Sequence, residues 1–244
     1  MDEEKYYTHT SFGDGFGSQY QKIVETYIYC KLNNLEYLYK PLTGSAHNYD
    51  NDPSYVSKLE NLINLKCNLS NVLNRSVEIL TYHINVQKYS EKNIDLMCNS
   101  KHMTFIKKCF WENKDKNYFN NNKLNIAVHI RRPNCKDNRK QGTDTNDSYY
   151  IDKINLIREE YKSDNLLFHI YSQGNIENFK LYENDDTILH IDQNIVDTFM
   201  GLVSADILVT SGSSFSYIAA LISDGMIYYK KFWHPPRKEW LVFN

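Results

Sequence analysis

Two consecutive arginines follow an apolar run in the second half of the chain. Residues 124–128, LNIAV, precede His129-Ile130-Arg131-Arg132, and this pattern predicts a buried strand that ends in basic residues. Because side chains alternate along a strand, His129 and Arg131 share one face and Arg132 takes the other. A guanidinium at the carboxyl edge of a sheet can bind phosphate oxygens through two parallel hydrogen bonds. Arg131 is therefore a candidate anion-binding residue; the alternative is an arginine paired with an acid of a neighbouring helix.

A second anion-binding site is predicted about eighty residues later. Residues 206–220, DILVTSGSSFSYIAA, read as a strand, a turn of small residues and a helix. Backbone amides at a helix start point at an anion, and the hydroxyls of Ser213 and Ser214 add donors. A serine can also simply cap the helix, which accounts for one of these serines but not for the whole run.

A glycine-rich segment precedes the first predicted helix. In residues 12–19, FGDGFGSQ, the alternating glycines, including Gly15 and Gly17, let the backbone turn tightly and approach a ligand. The spacing is not that of a dinucleotide-binding fingerprint. We expect either a plain turn or a substrate-facing loop with Asp14 directed into the site.

A polar loop follows the next predicted strand. Residues 45–52 read SAHNYDND, in which Asp52 is the predicted N-cap of a helix that begins at Pro53. The remaining polar residues lie where ligands bind in open α/β sheets, although a solvated loop fits equally well; they are His47, Asn48, Tyr49 and Asp50.

Two further features bear on the chemistry. The second half of the chain has no Asp-x-Asp pair and no His/Cys cluster, so we expect no metal and no other cofactor. Near the end, Trp233-His234-Pro235-Pro236 could cover the site or bind a sugar face through the indole, and simple packing is the alternative.

Short β-branched runs alternate with longer amphipathic stretches throughout the chain, which favours an α/β fold with parallel sheets. The polar stretch 112–123, ENKDKNYFNNNK, has the composition of a linker. We therefore predict two Rossmann-like lobes that face a cleft, an N-terminal lobe over residues 1–118 and a C-terminal lobe over residues 119–244.

Composition limits the function classes. The formal net charge is −2, which argues against a protein that neutralises nucleic-acid phosphates. No apolar run approaches the roughly 20 residues that span a bilayer, and the acidic start lacks the layout of a signal peptide. The five cysteines are scattered without a CxxC pair, which is typical of reduced thiols. These features predict a soluble, cytoplasmic protein.

The motifs together resemble a known superfamily. HIRR, followed by SGSSFSYIAALIS, is similar to the fucosyltransferase-type superfamily of glycosyltransferases, which have the two-lobed GT-B fold. The opening GDGFGSQYQ with HNYDNDP is similar to a microbial and large-DNA-virus branch of these enzymes. The resemblance extends over nearly the whole chain.

The resemblance implies inverting, metal-independent transfer of a sugar from a nucleotide diphosphate donor to a glycan or glycoprotein. It also implies that the N-terminal lobe is the acceptor side and that the C-terminal lobe binds the nucleotide sugar. By this likeness Arg131 contacts the donor β-phosphate, with His129 beside it in the same motif, and Ser213 and Ser214 bind phosphate. Phe215 matches an aromatic residue that lies beside the nucleobase. Asp197 matches an acid that hydrogen-bonds the edge of the base. The sequence departs from its relatives after the arginines, where Pro133-Asn134 replaces Gly-Asp. GDP-fucose is the usual donor in such enzymes, and UDP-linked xylose or rhamnose is also compatible.

These features lead to one hypothesis and two alternatives. The donor diphosphate lies between Arg131 and the helix amides that precede Phe215, while Asp14 or, second, His47 deprotonates the acceptor. A non-catalytic nucleotide-sugar or glycan-binding module is the first alternative, favoured by the missing acid after Arg132. A hydrolase of nucleotide phosphates is the other, and it lacks the expected P-loop or carboxylate pair.

Overall fold

The computed structural model describes residues 5–9, 13–65, 77–133, 145–162 and 165–243. The chain divides into two compact units, Met1–Lys114 and Asp115–Asn244, and the division lies inside the polar stretch 112–123. Each unit contains parallel strands connected through helices. The predicted α/β class with parallel sheets is therefore confirmed.

Unit 1 is built on a three-stranded parallel sheet in the order β2-β1-β3. Its elements are β1 (Tyr6–His9), α1 (Phe16–Leu32), β2 (Glu36–Tyr37), α2 (Tyr55–Ile63), β3 (Val77–Leu80), a π-helical turn (Tyr82–Val86), α3 (Gln87–Cys98) and α4 (Lys101–Trp111). Strand β1 and helix α3 are not predicted by the sequence pattern, and β2 is only two residues long.

Helix α1 forms the core of unit 1. It packs against β1, α3 and α4, and Tyr20, Ile23, Val24 and Ile28 are completely buried. Polar residues of α1 are buried as well, among them Gln19 and Lys22. Because α1 is covered on most sides, its polar side chains must find partners inside the protein.

Helix α2 begins two residues later than the sequence predicts. Its first residue is Tyr55 and its N-cap is Ser54. The carboxylate of Asp52 instead accepts hydrogen bonds from the Ser54 amide at 2.8 Å and the Ser54 hydroxyl at 2.6 Å. Asp52 thus stabilises the turn that leads into the helix rather than capping the helix itself.

Unit 2 is built on a six-stranded parallel sheet in the order β6-β5-β4-β7-β8-β9. Its elements are β4 (Leu124–His129), α5 (Asp147–Tyr161), β5 (Leu166–Ser172), a 3₁₀ helix (Ile176–Tyr182), β6 (Thr187–Ile191), α6 (Ile195–Ser204), β7 (Ile207–Val209), α7 (Ser214–Ile222), β8 (Met226–Lys230) and β9 (Leu241–Phe243).

The strand order of unit 2 reverses between β4 and β7. From β4 the chain proceeds to β5 and β6 on one side, then returns to place β7 on the other side of β4. Ile126, Ala127 and Val128 of β4 are fully buried, as expected for a central strand of a parallel sheet. In such sheets ligands bind at this reversal, outside the carboxyl ends of the two diverging strands.

The described part of the chain contains no helix with both the length and the apolar character needed to cross a membrane. Cys30, Cys98 and Cys109 are free thiols. Cys67 and Cys135 lie outside the described residues.

A pair of histidines packs on the sheet of unit 2. His169 is buried, its ring stacks on Phe119 with centroids 4.3 Å apart, and its Nδ1 lies 3.0 Å from Nε2 of His190. Its Nε2 lies 3.1 Å from Oδ1 of Asn125. Burial, and next the neighbouring His190, lower the pKa of His169 to about 4. The neutral ring, with Nε2–H donating to Asn125, satisfies both contacts.

This pair makes the stability of the protein depend on pH. The pKa of His169 is lower in the folded chain than the ordinary 6.5, so the unfolded state binds more protons as pH falls from about 6.5 to about 4. Stability is lost over that window. We expect His169→Gln to reduce the slope of unfolding free energy against pH there by up to about 1.4 kcal/mol per pH unit. Urea unfolding at several pH values measures the free energy of unfolding and therefore this slope. The exposed His83→Gln is the control, and an equal reduction in both variants would contradict the assignment.

Candidate functional site

The carboxyl ends of β4 and β7 meet at the reversal of strand order in unit 2. Val128 and Val209 are paired, so His129 and the residues that follow β7 leave the sheet side by side. The hydroxyl of Ser211 lies 2.8 Å from Nδ1 of His129. This hydrogen bond links the two strand ends at the place where an open α/β sheet binds ligands.

His129 is held in its neutral form. Burial, and secondly the positive charge of Arg131, lower its pKa to about 3. Arg131 lies two residues beyond the end of β4, and its charge acts on His129. The site therefore carries the positive charge of Arg131 beside an uncharged imidazole.

The two arginines have different environments. Nη2 of Arg132 lies 2.5 Å from Oδ1 of Asp147, Nη1 donates to the Thr145 carbonyl at 2.9 Å, and the guanidinium lies 5.7 Å from the centre of the Tyr150 ring. Arg132 thus forms a salt bridge with an acid of α5, and it anchors the start of that helix. Arg131 is half-buried just beyond the end of β4.

The start of α5 supplies an acid to Arg132. Pro133 and Asn134 follow the arginine pair, and Asn134 lies outside the described residues. Asp147, which opens α5, is the acid that Arg132 reaches. An acid from elsewhere in the chain therefore neutralises Arg132.

Ser213 and Ser214 both lie at the start of α7. Ser213 is the N-cap, and its hydroxyl accepts the Phe215 amide at 3.2 Å. The hydroxyl of Ser214 lies 3.0 Å from Nε2 of His234. The capping role thus accounts for Ser213, whose hydroxyl can still donate its proton to an anion. The amides of this first turn give the helix start its partial positive charge.

Phe215 lies on the β4 side of this helix start, and Asp197 lies in the first turn of α6. The Phe215 ring centroid is 5.6 Å from that of His129 and 5.4 Å from that of Phe199 in α6. Asp197, two residues before Phe199, forms a reciprocal cap with Asn194, with a 3.0 Å bond from its amide and a 2.5 Å bond to its carboxylate. Asp197 therefore has a structural role in starting α6.

In unit 1 the glycine-rich segment and the His47 loop lie against each other. The Ala46 amide donates to the Asp14 carbonyl at 3.0 Å. Nε2 of Gln19 donates to the same carbonyl at 2.7 Å and to the Gly44 carbonyl at 3.0 Å. Gln19 thus joins the loops that carry the two candidate bases. Sequence reasoning missed Gln19 because a lone glutamine on a helix carries no motif.

The glycines of this segment have different roles. Gly15 is the N-cap of α1 with φ −65°, and a Cβ there would lie 3.1 Å from Nε2 of His47. Gly15 has no side chain, so the His47 imidazole can approach it closely. Its φ is one that any residue can adopt. Gly17 is the second residue of α1 and is buried. Its prediction as a loop residue is wrong because α1 begins at Phe16, before it.

Asp14 is engaged in an ion pair. Its Oδ2 lies 2.8 Å from Nζ of Lys22 and accepts the Ser18 hydroxyl at 3.0 Å. The Lys22 side chain is 6% exposed and that of Asp14 is 47% exposed. The negative charge of Asp14 therefore compensates the positive charge of the nearly buried Lys22. The same ion pair stabilises the ionised form of the Asp14 carboxylate.

His47 occupies a strained position on its loop. Its φ is +77°, a conformation that costs energy in a residue other than glycine. Its Nδ1 lies 2.8 Å from the Tyr49 hydroxyl. Asn48 closes the loop through two 2.9 Å hydrogen bonds with the backbone of Asp52, and Asp50 is exposed on it. Asn48 therefore shapes the loop that holds the imidazole.

Within the described ranges, no group of three or more His, Cys, Asp or Glu side chains is arranged to hold a metal ion. Arg131 and the amides at the start of α7 both follow strands that are neighbours in the sheet of unit 2. A guanidinium and a helix start are each suited to an anion such as a phosphate.

No protein-family model and no curated protein matches the sequence. Solved structures similar to this chain include POFUT1 in complex with GDP-fucose, at 12% identity and a TM-score of 0.46, covering 91% of this chain and 95% of that one. POFUT1 in complex with GDP has 13% identity, a TM-score of 0.44 and coverage of 92% and 96%. The fucosyltransferase NodZ from Bradyrhizobium has 10% identity, a TM-score of 0.42 and coverage of 97% and 98%. These are likenesses of the fold.

The Gln19 contacts generate a prediction about loop order. Gln19→Leu removes both hydrogen bonds that join the loops, so the Ala46 amide, which donates to Asp14, should exchange its hydrogen about tenfold faster, as expected for the loss of roughly 1.4 kcal/mol of local stability. Hydrogen exchange measured by NMR reports this directly. Gln21→Leu is the matched control, because Gln21 is buried on the same helix but bonds Glu25 at 2.9 Å. Faster exchange in the control and not in Gln19→Leu would contradict the role of Gln19.

Proposed function

We propose that this chain is an inverting, metal-independent glycosyltransferase that moves a sugar from a nucleotide diphosphate donor to a hydroxyl of a glycan or glycoprotein. The observation that carries the proposal is the hydrogen bond between Ser211 and His129, which joins the end of β4, two residues before Arg131, to the turn that leads into α7. A GDP-fucose-like donor fits the motif resemblance, and UDP-xylose or UDP-rhamnose fits the same charges.

The positive groups suit a diphosphate leaving group. When the bond between the anomeric carbon and the phosphate oxygen breaks, its electron pair stays on that oxygen and negative charge grows on the β-phosphate. A guanidinium and fixed helix amides stabilise such charge without rearranging. Neutral His129 adds no competing charge, and the hydroxyls of Ser213 and Ser214 can turn to the phosphate oxygens.

We assign the nucleobase to the side of α7 where Phe215 lies. The partly exposed Phe215 ring, next to His129 and Phe199, offers a flat apolar surface for a base. The resemblance gives Asp197 the base edge, and its position at the start of α6 is compatible with that role. Its cap with Asn194 would hold the carboxylate in place.

The contacts in unit 1 favour His47 over Asp14 as the general base. The ion pair with Lys22 makes the Asp14 carboxylate a weaker proton acceptor, which reverses the order expected from the sequence. His47 can donate Nδ1–H to the Tyr49 hydroxyl and accept the acceptor's proton at Nε2. The deprotonated hydroxyl then attacks the anomeric carbon opposite the leaving phosphate, which inverts that centre.

A non-catalytic nucleotide-sugar or glycan-binding module is the second candidate. The replacement of Gly-Asp by Pro133-Asn134 after the arginine pair favours it. The proposal of an enzyme and this alternative differ in one result, because both bind the donor and only the enzyme releases its sugar.

Arg131 is the residue that tests the proposed function. A thermal-shift panel of GDP-fucose, UDP-xylose and UDP-rhamnose identifies the donor, since a ligand of the folded state raises its melting temperature. We expect Arg131→Ala to lower kcat/KM for that donor about 100- to 1000-fold, as the loss of one group that stabilises transition-state charge does. The variant should remain folded, which circular dichroism checks.

Two results would contradict the proposed function. One is an Arg131→Ala variant that transfers sugar at the rate of the original chain. The other is a chain that binds the donor but releases no sugar, which would identify a binding module. Arg158→Ala, which breaks the 2.6 Å contact with Asp186, is the control for loss of an arginine elsewhere in unit 2.

The two candidate bases predict different kinetic losses. Removal of a general base lowers kcat about 100- to 10,000-fold, so we expect a loss in this range for His47→Gln and a smaller one for Asp14→Asn. Tyr49→Phe should shift the pH profile of kcat because it changes the partner of Nδ1. A large loss in Asp14→Asn with near-normal kcat in His47→Gln would assign the base to Asp14 instead.

A further inference from the structure

Residues 232–235, FWHP, are fixed against the start of α7. The Tyr229 hydroxyl donates to the His234 carbonyl at 2.8 Å, and the Tyr217 hydroxyl donates to the Pro235 carbonyl at 2.9 Å. The rings of Tyr217 and His234 stack with centroids 4.6 Å apart. His234 is buried. This segment, which connects β8 to β9, is therefore held in one position by side chains of α7 and β8.

Trp233 is the exposed member of this segment. Its side chain is 50% exposed, and in the part of the chain that the structure describes it is the one aromatic among the exposed large hydrophobic residues. The Phe232 ring packs against it with centroids 3.7 Å apart. A large apolar ring costs free energy in water, so an exposed and fixed indole suggests a binding surface.

Hydrogen bonds orient the indole and connect it to the phosphate site. Nε1 of Trp233 donates to Nε2 of His234 at 3.0 Å, and the Ser214 hydroxyl lies 3.0 Å from the same nitrogen. An indole N–H can only donate, so Nε2 of His234 is the unprotonated nitrogen. Burial lowers the pKa of His234 to about 4, which keeps the ring neutral at physiological pH. The indole edge is thus engaged, and the ring offers a ligand its face.

The first turn of α7 has two different flanks. The ring of Phe215 lies beside His129 and Phe199 on the β4 side. Ser214, the preceding residue, lies beside His234 and Trp233. A diphosphate bound at this turn therefore has an aromatic surface on each flank. The two surfaces can receive the two ends of a nucleotide sugar.

We propose that Trp233, supported by Phe232, forms a platform for the pyranose ring of the nucleotide sugar. This inference rests on the proposed function, in which the base lies on the Phe215 flank and the diphosphate at the start of α7. The sugar end of the donor then reaches the Trp233 flank. One face of a pyranose carries several C–H groups, and this face packs on an indole as an apolar surface.

The test compares binding of nucleotide sugars with binding of the corresponding nucleoside diphosphates. Isothermal titration calorimetry gives dissociation constants for GDP, GDP-fucose, UDP and UDP-xylose, and the ratio of each sugar nucleotide to its diphosphate isolates the sugar contact. We expect Trp233→Leu to raise this ratio about tenfold for the donor that binds, and Trp233→Phe to keep it within about threefold, because a smaller ring remains. A change in the hydrogen bond of Ser214 should alter the dissociation constants of both ligands equally, so it cancels in the ratio.

The controls separate the possible failures. Leu241→Ala removes a side chain that is 42% exposed on β9 and should leave the ratio unchanged. An unchanged ratio in Trp233→Leu overturns the platform, and so does an equal loss of diphosphate and sugar nucleotide, which would place the base on Trp233. If the original chain binds none of the four compounds, the proposed function itself fails, and the platform with it.

Discussion

The geometry of unit 2 depends on one constraint, the reversal of strand order between two neighbouring parallel strands. Strands β4 and β7 lie side by side in the sheet, but the chain leaves them in different directions. Their carboxyl ends therefore create a concave edge that a continuous run of strands would fill. The bond between Ser211 and His129 joins the two edges. It places the basic end of one strand next to the helix that follows the other.

Arg132, at the same edge, has a structural role. It forms a salt bridge with Asp147 and lies over the Tyr150 ring, so it holds the start of α5. In unit 1 the nearly buried Lys22 has Asp14 as its counter-ion, and Gln19 joins two loops through their backbone carbonyls. Polar side chains in both units therefore stabilise the segments on which the candidate site residues lie.

The sequence predicted the elements whose signal is local. The strand that ends at His129, the small-residue turn before α7 and the α/β class follow from hydrophobic runs and capping residues. Strand β1, only four residues long, and the more polar helix α3 have weaker patterns, so they were missed. The roles of Gln19 and Lys22 depend on partners that tertiary folding brings to α1, and no spacing rule reveals them. The strain at His47 and its contact with Gly15 are likewise products of two loops meeting.

A crystal structure of this chain with a bound nucleoside diphosphate tests the central claim most directly. The account predicts that the phosphate oxygens lie within hydrogen-bonding distance, about 2.7–3.2 Å, of the Arg131 guanidinium and of the backbone amides in the first turn of α7. A diphosphate bound elsewhere on the chain, with Arg131 and this helix start both away from it, would contradict the account.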